Sequence, residues 1–137
     1  MKHINLCKHI CHYLAGTQIY SLVYKSDGNG IDTWTDSDWG NDETYPDPRH
    51  SIQGMIVLLT NGATTWVSHC QKTIALSSVE AEYMALSDAC RHAKWLTSFF
   101  GELSFDVSPI SVTGDNQGSI FIGQNPVTER RSKHIDI

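Results

Sequence analysis

No uninterrupted apolar run in this chain approaches the ~20 residues that a membrane-spanning helix needs, so no membrane partner is expected. The amino-terminal stretch Met1–Leu14 carries Lys and His through its apolar positions and lacks a small-residue cleavage site. It reads as an amphipathic helix, not a signal peptide. Cysteine is scarce, with four residues in 137, and without an export signal these are expected as reduced thiols in the cytosol or nucleus. Cys7 and Cys11, flanked by His9 and His12, raise the question of zinc. A second ligand pair would have to come from Cys70 with His69 or Cys90 with His92, and neither has a knuckle spacing. The plainer reading puts Cys7 and Cys11 on the apolar face of a helix. Positive charge is also in short supply: 10 Lys and Arg stand against 15 Asp and Glu, a net charge of −5. That balance neither establishes nor excludes a polyanion partner, because carboxylates gathered around a divalent cation add negative charge while creating a phosphate site. The acids cluster between Asp27 and Asp47, and Arg130, Arg131, Lys133 and His134 make a basic stretch near the carboxyl end. Repeats and low-complexity tracts are absent.

What is present fits one soluble domain, long enough to bury a core without staples. Apolar residues at 7, 10, 11 and 14 have helical spacing, and Gly16 is placed to stop that helix. Ile19–Tyr24 is β-branched and aromatic and reads as a strand; a turn over residues 26–30 leads to a second strand, Ile31–Asp36. After a polar loop to about Ser51, with Pro46 and Pro48 keeping it irregular, strands are expected over Gln53–Thr60 and Thr64–His69. Asn61-Gly62 between them is a hairpin signal. Ser77 to Glu80 matches a capping box, with Glu80 reaching back to the Ser77 amide. The helix it opens reaches roughly Leu103, with a stripe of Ala81, Ala85, Ala89, Leu96, Phe99, Phe100 and Leu103 and with His92 on the same side. A fifth strand over Ile110–Gly114 and a short helix over Asn116–Gln124 follow. This order specifies an α/β (α+β) fold, a five-stranded mixed sheet flanked by helices.

Three acids occupy telling places. Asp36 ends a strand, Asp115 ends another just before a helix, and Glu82 lies early in the long helix at the edge of its stripe. Glu80 points about 160° away from Glu82, so the two cannot serve one site. If the two strands are neighbours and the helix crosses them, three carboxylates converge, and such a cluster needs a cation. Oxygen-only ligands favour Mg²⁺ or Mn²⁺ over zinc. Taken singly, each acid has a bland role open to it as a turn residue, a cap or a partner of the helix dipole. Asp38 shares a strand face with Asp36 and is the alternative there.

Trp-Thr-Asp-Ser-Asp-Trp-Gly-Asn-Asp (34–42) resembles the opening motif of the ribonuclease H domain of copia-type retrotransposon Pol polyproteins. Arg49-His-Ser-Ile-Gln-Gly54, Thr65-Trp66-Val-Ser68 and the block from Gln71 to Leu86 continue the resemblance, as do Gly114-Asp-Asn-Gln117 and Arg131-Ser-Lys-His-Ile-Asp-Ile137. Upstream, His9–Tyr24 is similar to the segment joining reverse transcriptase to ribonuclease H. The resemblance implies a ribonuclease H-like domain over residues 31–137, preceded over residues 1–30 by the end of the connector. It implies metal-binding, catalytic carboxylates at Asp36, Glu82, Asp115 and Asp136. Two Mg²⁺ or Mn²⁺ ions roughly 4 Å apart would serve hydrolysis of the RNA strand of an RNA–DNA hybrid. Asn116, Gln117, Arg130, Arg131 and Lys133 are the expected nucleic-acid contacts, with capping and a solvated basic tail as the plainer alternatives; His134 would stand near the metals or be structural. The reverse transcriptase domain of the same polyprotein is an expected partner. The expected location is the cytoplasm, in a virus-like particle, and the nucleus. Family members continue past Asp136 into a further helix, whereas this chain ends one residue after it. A catalytically inactive remnant, binding nucleic acid at most, therefore stands as the second expectation. An integrase of the same fold fits less well, because the glutamate falls between the two aspartates in chain order.

Overall fold

The computed structural model describes residues 2–25, 30–40 and 47–125. The first helix, α1 (Lys2–Gly16), forms where the apolar spacing predicts it. Its end is closed by Thr17, whose hydroxyl donates to the Tyr13 carbonyl at 2.8 Å. Ile19–Tyr24, expected as a strand, belongs to no ladder. Strand preference is a preference for a pleated, half-buried surface, and this segment is exposed along its whole length. It is attached at both ends: the Tyr20 amide donates to the Thr17 carbonyl at 2.9 Å, the Lys25 amide to the Thr60 carbonyl at 3.4 Å, and the Tyr24 hydroxyl to the Ala63 carbonyl at 2.7 Å.

The sheet has four strands among the described residues, one fewer than expected. They are β1 (Ile31–Asp38), β2 (Ile52–Leu59), β3 (Gly62–Cys70) and, after the long helix α2 (Ser78–Glu102), β4 (Ser111–Thr113). Their order is β3-β2-β1-β4, with β1 antiparallel to β2, β2 antiparallel to β3, and β1 parallel to β4. A last helix, α3 (Gln117–Gln124), packs against α2. The β2–β3 hairpin forms one residue earlier than the Asn-Gly pair suggests. Thr60 and Asn61 take the positive φ values of the two-residue turn, +48° and +64°, and Gly62 already pairs with Leu59. Gly62 is needed for another reason: a Cβ there would lie 2.4 Å from the Tyr24 ring.

Alternation along β1 buries Ile31, Thr33 and Thr35 and exposes Trp34, Asp36 and Asp38. The inward row meets α2, where Ile31, Val57 and Leu96 form the core with Leu59, Phe100, Val107 and Ile110 around them. The other face of the sheet is open, and a cross-strand row of Trp34, Ile56 and Trp66 lies along it. The buried stripe of α2 runs through Ala81, Ala85, Ala89, Ala93 and Leu96. Phe99 and Leu103, expected in that stripe, are exposed, while Phe100 between them packs against the core. The helix ends in a Schellman turn, with Ser104 at φ +62° and the Phe105 amide donating to the Phe100 carbonyl. No helix among the described residues is long and apolar enough to cross a membrane.

Candidate metal centre

Three of the four expected carboxylates meet. Trp34 pairs with Thr113 in the parallel β1–β4 ladder. Two residues further along each chain come Asp36 and Asp115, which therefore stand side by side beyond the carboxyl end of β4. Glu82 arrives from the amino-terminal end of α2, whose phase is set by its cap: the Ser77 hydroxyl accepts from the Glu80 amide at 3.2 Å. One carboxylate oxygen from each of Asp36, Glu82 and Asp115 lies within 4.8 Å of the others, and among the described residues no other group of acidic, His or Cys side chains converges this way.

The neighbouring acids are placed differently. Glu80 caps its own helix, with its Oε2 accepting from the Leu76 amide at 2.9 Å, one residue before the Ser77 amide the motif suggests. Asp38 lies outside the cluster. Cys7 and Cys11, assigned by the sequence to an apolar face, are exposed free thiols on α1. Asn116 is the N-cap of α3, its side-chain oxygen accepting from the Ser119 amide at 3.0 Å, and Gln117 is exposed beside it. Gly118 lets that first turn close on α2, since a Cβ there would sit 3.2 Å from Val79. Arg49 is engaged by Asp47, whose carboxyl its hydrogen bonds hold down at about 2. Asp136, Arg130, Arg131, Lys133 and His134 lie outside the described residues.

Glu82 is the buried member, 8% exposed, while Asp36 and Asp115 are open to solvent. Burial is the first cause that pushes its carboxyl up to about 7; the nearby charges of Asp36 and Asp115 and a side-chain hydrogen bond with Asp36 act in the same direction. A hydrogen bond from the Ser37 backbone opposes them. Without a cation, then, the cluster holds a proton near neutral pH. A divalent ion would displace that proton, and a donor set of carboxylate oxygens alone suits a hard ion such as Mg²⁺ or Mn²⁺. The residues present fit such an ion. Beside Asp36 and Asp115 the open sheet face forms a cleft of about 420 Å³, lined also by Trp34, Met55, Ile56 and Val67.

Several supporting residues were not singled out by their sequence. The Trp39 indole donates to the Ala75 carbonyl at 3.0 Å, tying the segment after β1 to the one before α2. Gln71, 3% exposed, reaches Gln53, Ala81 and Ser37 with its side-chain amide. Both stand inside motifs quoted above, but nothing local marks a polar residue for burial.

The fold and the cluster thus define an α/β protein with an acidic centre suited to a divalent cation. The chain is 35% identical over 136 residues, 97% of its length, to a retrovirus-related Pol polyprotein from transposon RE2 of Arabidopsis thaliana. It is 33% identical over 99% of its length to the Pol polyprotein from transposon TNT 1-94 of Nicotiana tabacum. The chain is therefore a domain derived from the Pol polyprotein of copia-type retrotransposons. It spans about a tenth of those polyproteins, 9% of the first and 10% of the second. A secreted RxLR effector protein of Plasmopara viticola is 40% identical over 96 residues, 69% of this chain and 66% of the effector. No family model matches the chain, and no solved structure does.

Proposed function

We propose that this chain is a ribonuclease H-like domain that hydrolyses the RNA strand of RNA–DNA hybrids with Mg²⁺ or Mn²⁺ during reverse transcription. The observation that carries the reading is the convergence of Asp36, Glu82 and Asp115 within 4.8 Å, in a chain related over nearly its whole length to retrotransposon Pol polyproteins. A sheet ordered β3-β2-β1-β4, with only β1 and β4 parallel, supports a ribonuclease H-like fold. Asp36, Glu82 and Asp115 would hold the two ions of the resemblance, with Asp136 as a fourth ligand. Bound there, such ions would activate water and stabilise the leaving oxygen. The chain's own part is placement. β1 and β4 hold two carboxylates at the rim of the open face, where a phosphodiester has access, and α2 brings the third from the buried side. Water attacks phosphorus, the bond to the 3′ oxygen breaks, and the products carry a 3′-hydroxyl and a 5′-phosphate. Recognition of RNA would come from 2′-hydroxyl and phosphate contacts, with Gln117, Asn116, Arg130, Arg131 and Lys133 as the groups to supply them. The hybrid and the polymerase portion of the same polyprotein are the proposed partners.

A second reading, a non-catalytic domain that binds nucleic acid at most, is favoured by the similarity to a secreted effector rather than a polyprotein. One experiment separates the two. A labelled RNA–DNA hybrid is incubated with the chain and Mg²⁺, alongside Asp36→Asn and Glu82→Gln. Under the enzyme reading the variants lose at least about 100-fold in cleavage rate, the upper end of what even an outer-shell change costs a metal site. Equal background cleavage from all three proteins would leave the non-catalytic reading standing.

A further inference from the structure

We propose that Gln71 is a positioning residue for the carboxylate cluster. Its buried amide sets the separation between the Asp36–Ser37 end of β1 and the Ala81–Glu82 turn of α2 before any cation binds. The inference rests on the metal-site reading above and adds a residue to it. Gln71 follows β3 directly and is anchored by its own backbone: its amide donates to the Ser51 carbonyl at 2.7 Å, and its carbonyl meets His50 Nδ1 at 2.7 Å. From that fixed root the two Nε2 hydrogens go to the Ala81 carbonyl and to Gln53 Oε1, both at 2.9 Å, and Ser37 Oγ lies at 3.5 Å, where it can share one of them. Ala81 immediately precedes Glu82, and Ser37 immediately follows Asp36. The Ser37 backbone is also the group that hydrogen-bonds the Glu82 carboxylate. One amide group thus grips the neighbours of two proposed ligands from opposite elements.

The contacts also fix which way the amide points. Ala81 O and Gln53 Oε1 can only accept, so the nitrogen must face them. Gln53 is itself held, since its Nε2 donates to Asp88 on α2 and lies 3.1 Å from His69 Nε2. Ser37 and Gln53 are paired in the β1–β2 ladder, so the network joins β1, β2, the end of β3 and α2 at one level. The remaining atom, Gln71 Oε1, is buried with no hydrogen-bond partner among the described residues. An apolar side chain of like volume would fill the space without that penalty. A buried amide kept at this cost is better explained by what its nitrogen holds than by packing. Groups that orient metal ligands from outside the first shell typically change metal affinity 10- to 100-fold when removed.

The test is calorimetric titration of Mn²⁺ into the metal-free chain, with thermal unfolding measured in parallel. Gln71→Met keeps the volume and removes the amide; it is expected to weaken Mn²⁺ binding by about 10-fold or more. Val57→Ala, a core change away from the cluster, is expected to lower stability while binding Mn²⁺ like the native chain. Native-like affinity in Gln71→Met would overturn the inference, as would an equal loss in Val57→Ala, which would make the effect one of general stability. Glu82→Gln separates this from failure of the parent reading. If it abolishes binding while Gln71→Met does not, only the positioning role falls; if it too binds normally, the metal site itself falls and the inference with it. Should Gln71→Met not fold, Gln71→Asn, one methylene too short to span Ala81 and Gln53, carries the same expectation, and native-like affinity in it overturns the inference equally.

Discussion

The two long helices of this chain show how little hydrophobicity alone decides. Along α1, Ile4, Leu6, Ile10, Tyr13 and Leu14 are all more than half exposed, and among the described residues the helix contacts no other helix or strand. Along α2 the buried stripe is mostly alanine, a weaker apolar residue, yet Ala81, Ala85 and Ala89 are sealed from solvent. The difference is the neighbour. Small side chains let α2 lie close on β1, β2 and β4, and that closeness brings Glu82 to Asp36 and Asp115. α1 has a better apolar inventory and, among the described residues, no helix or strand packed on it. A helix of its length is marginal in water unless an apolar face is covered.

This contrast can be broken or sharpened by substitution. The largest effect is expected in the core beneath α2. Leu96→Ala should lower the unfolding free energy by about 2–5 kcal/mol in denaturant titration, since it opens a cavity against Ile31 and Val57. Next comes the pH response of the cluster. In the metal-free fold the Glu82 carboxyl stands at about 7 against an ordinary 4.5, so the folded state binds more protons than the unfolded state between those values. Stability is then fully present below pH 4.5, falls as pH rises towards 7, and is level beyond it. Allowing for solvent screening, the loss should be roughly 1–3 kcal/mol. Glu82→Gln should flatten it, and thermal unfolding at pH 4.5 and 8 in chelator would show the reverse slope if the reasoning were wrong. A smaller effect is expected at the cap, where Ser77→Ala should cost about 1 kcal/mol by the same denaturant measure. The smallest is expected on α1: Ile10→Ala should change global stability by less than about 0.5 kcal/mol, as at other exposed positions. A loss comparable to that of Leu96→Ala would mean that α1 is covered in solution after all.

Much of this molecule can be read from local pattern. The cap at Ser77, the phase that separates Glu82 from Glu80, the stop of α1 near Gly16 and the β2–β3 hairpin each depend on neighbours a few residues away. The misreadings share a cause. Ile19–Tyr24 has strand composition but stays exposed and outside the sheet. Phe99 and Leu103 keep the helical phase of the stripe but are left exposed by what packs around them. The hairpin turn moved by one residue, and Gly62 begins β3 beneath the ring of Tyr24, far away in sequence.

The carboxylates divide along the same line. Which residues are acidic and which sits on the core edge of α2 were settled by composition and period, whereas Asp36, expected to end its strand, lies within β1, which pairs on to Asp38. That Asp36 and Asp115 stand side by side was settled by the parallel pairing of β1 with β4, a contact between segments distant in the chain. Gln71 belongs wholly to the second kind: its role comes from what surrounds it, and a glutamine after a strand announces nothing. Periodicity and capping act through bonds made within a turn or two of chain, so the sequence by itself determined the elements and the acids they carry. Convergence requires surfaces brought together across long loops, and only the tertiary structure decided which of those surfaces would meet.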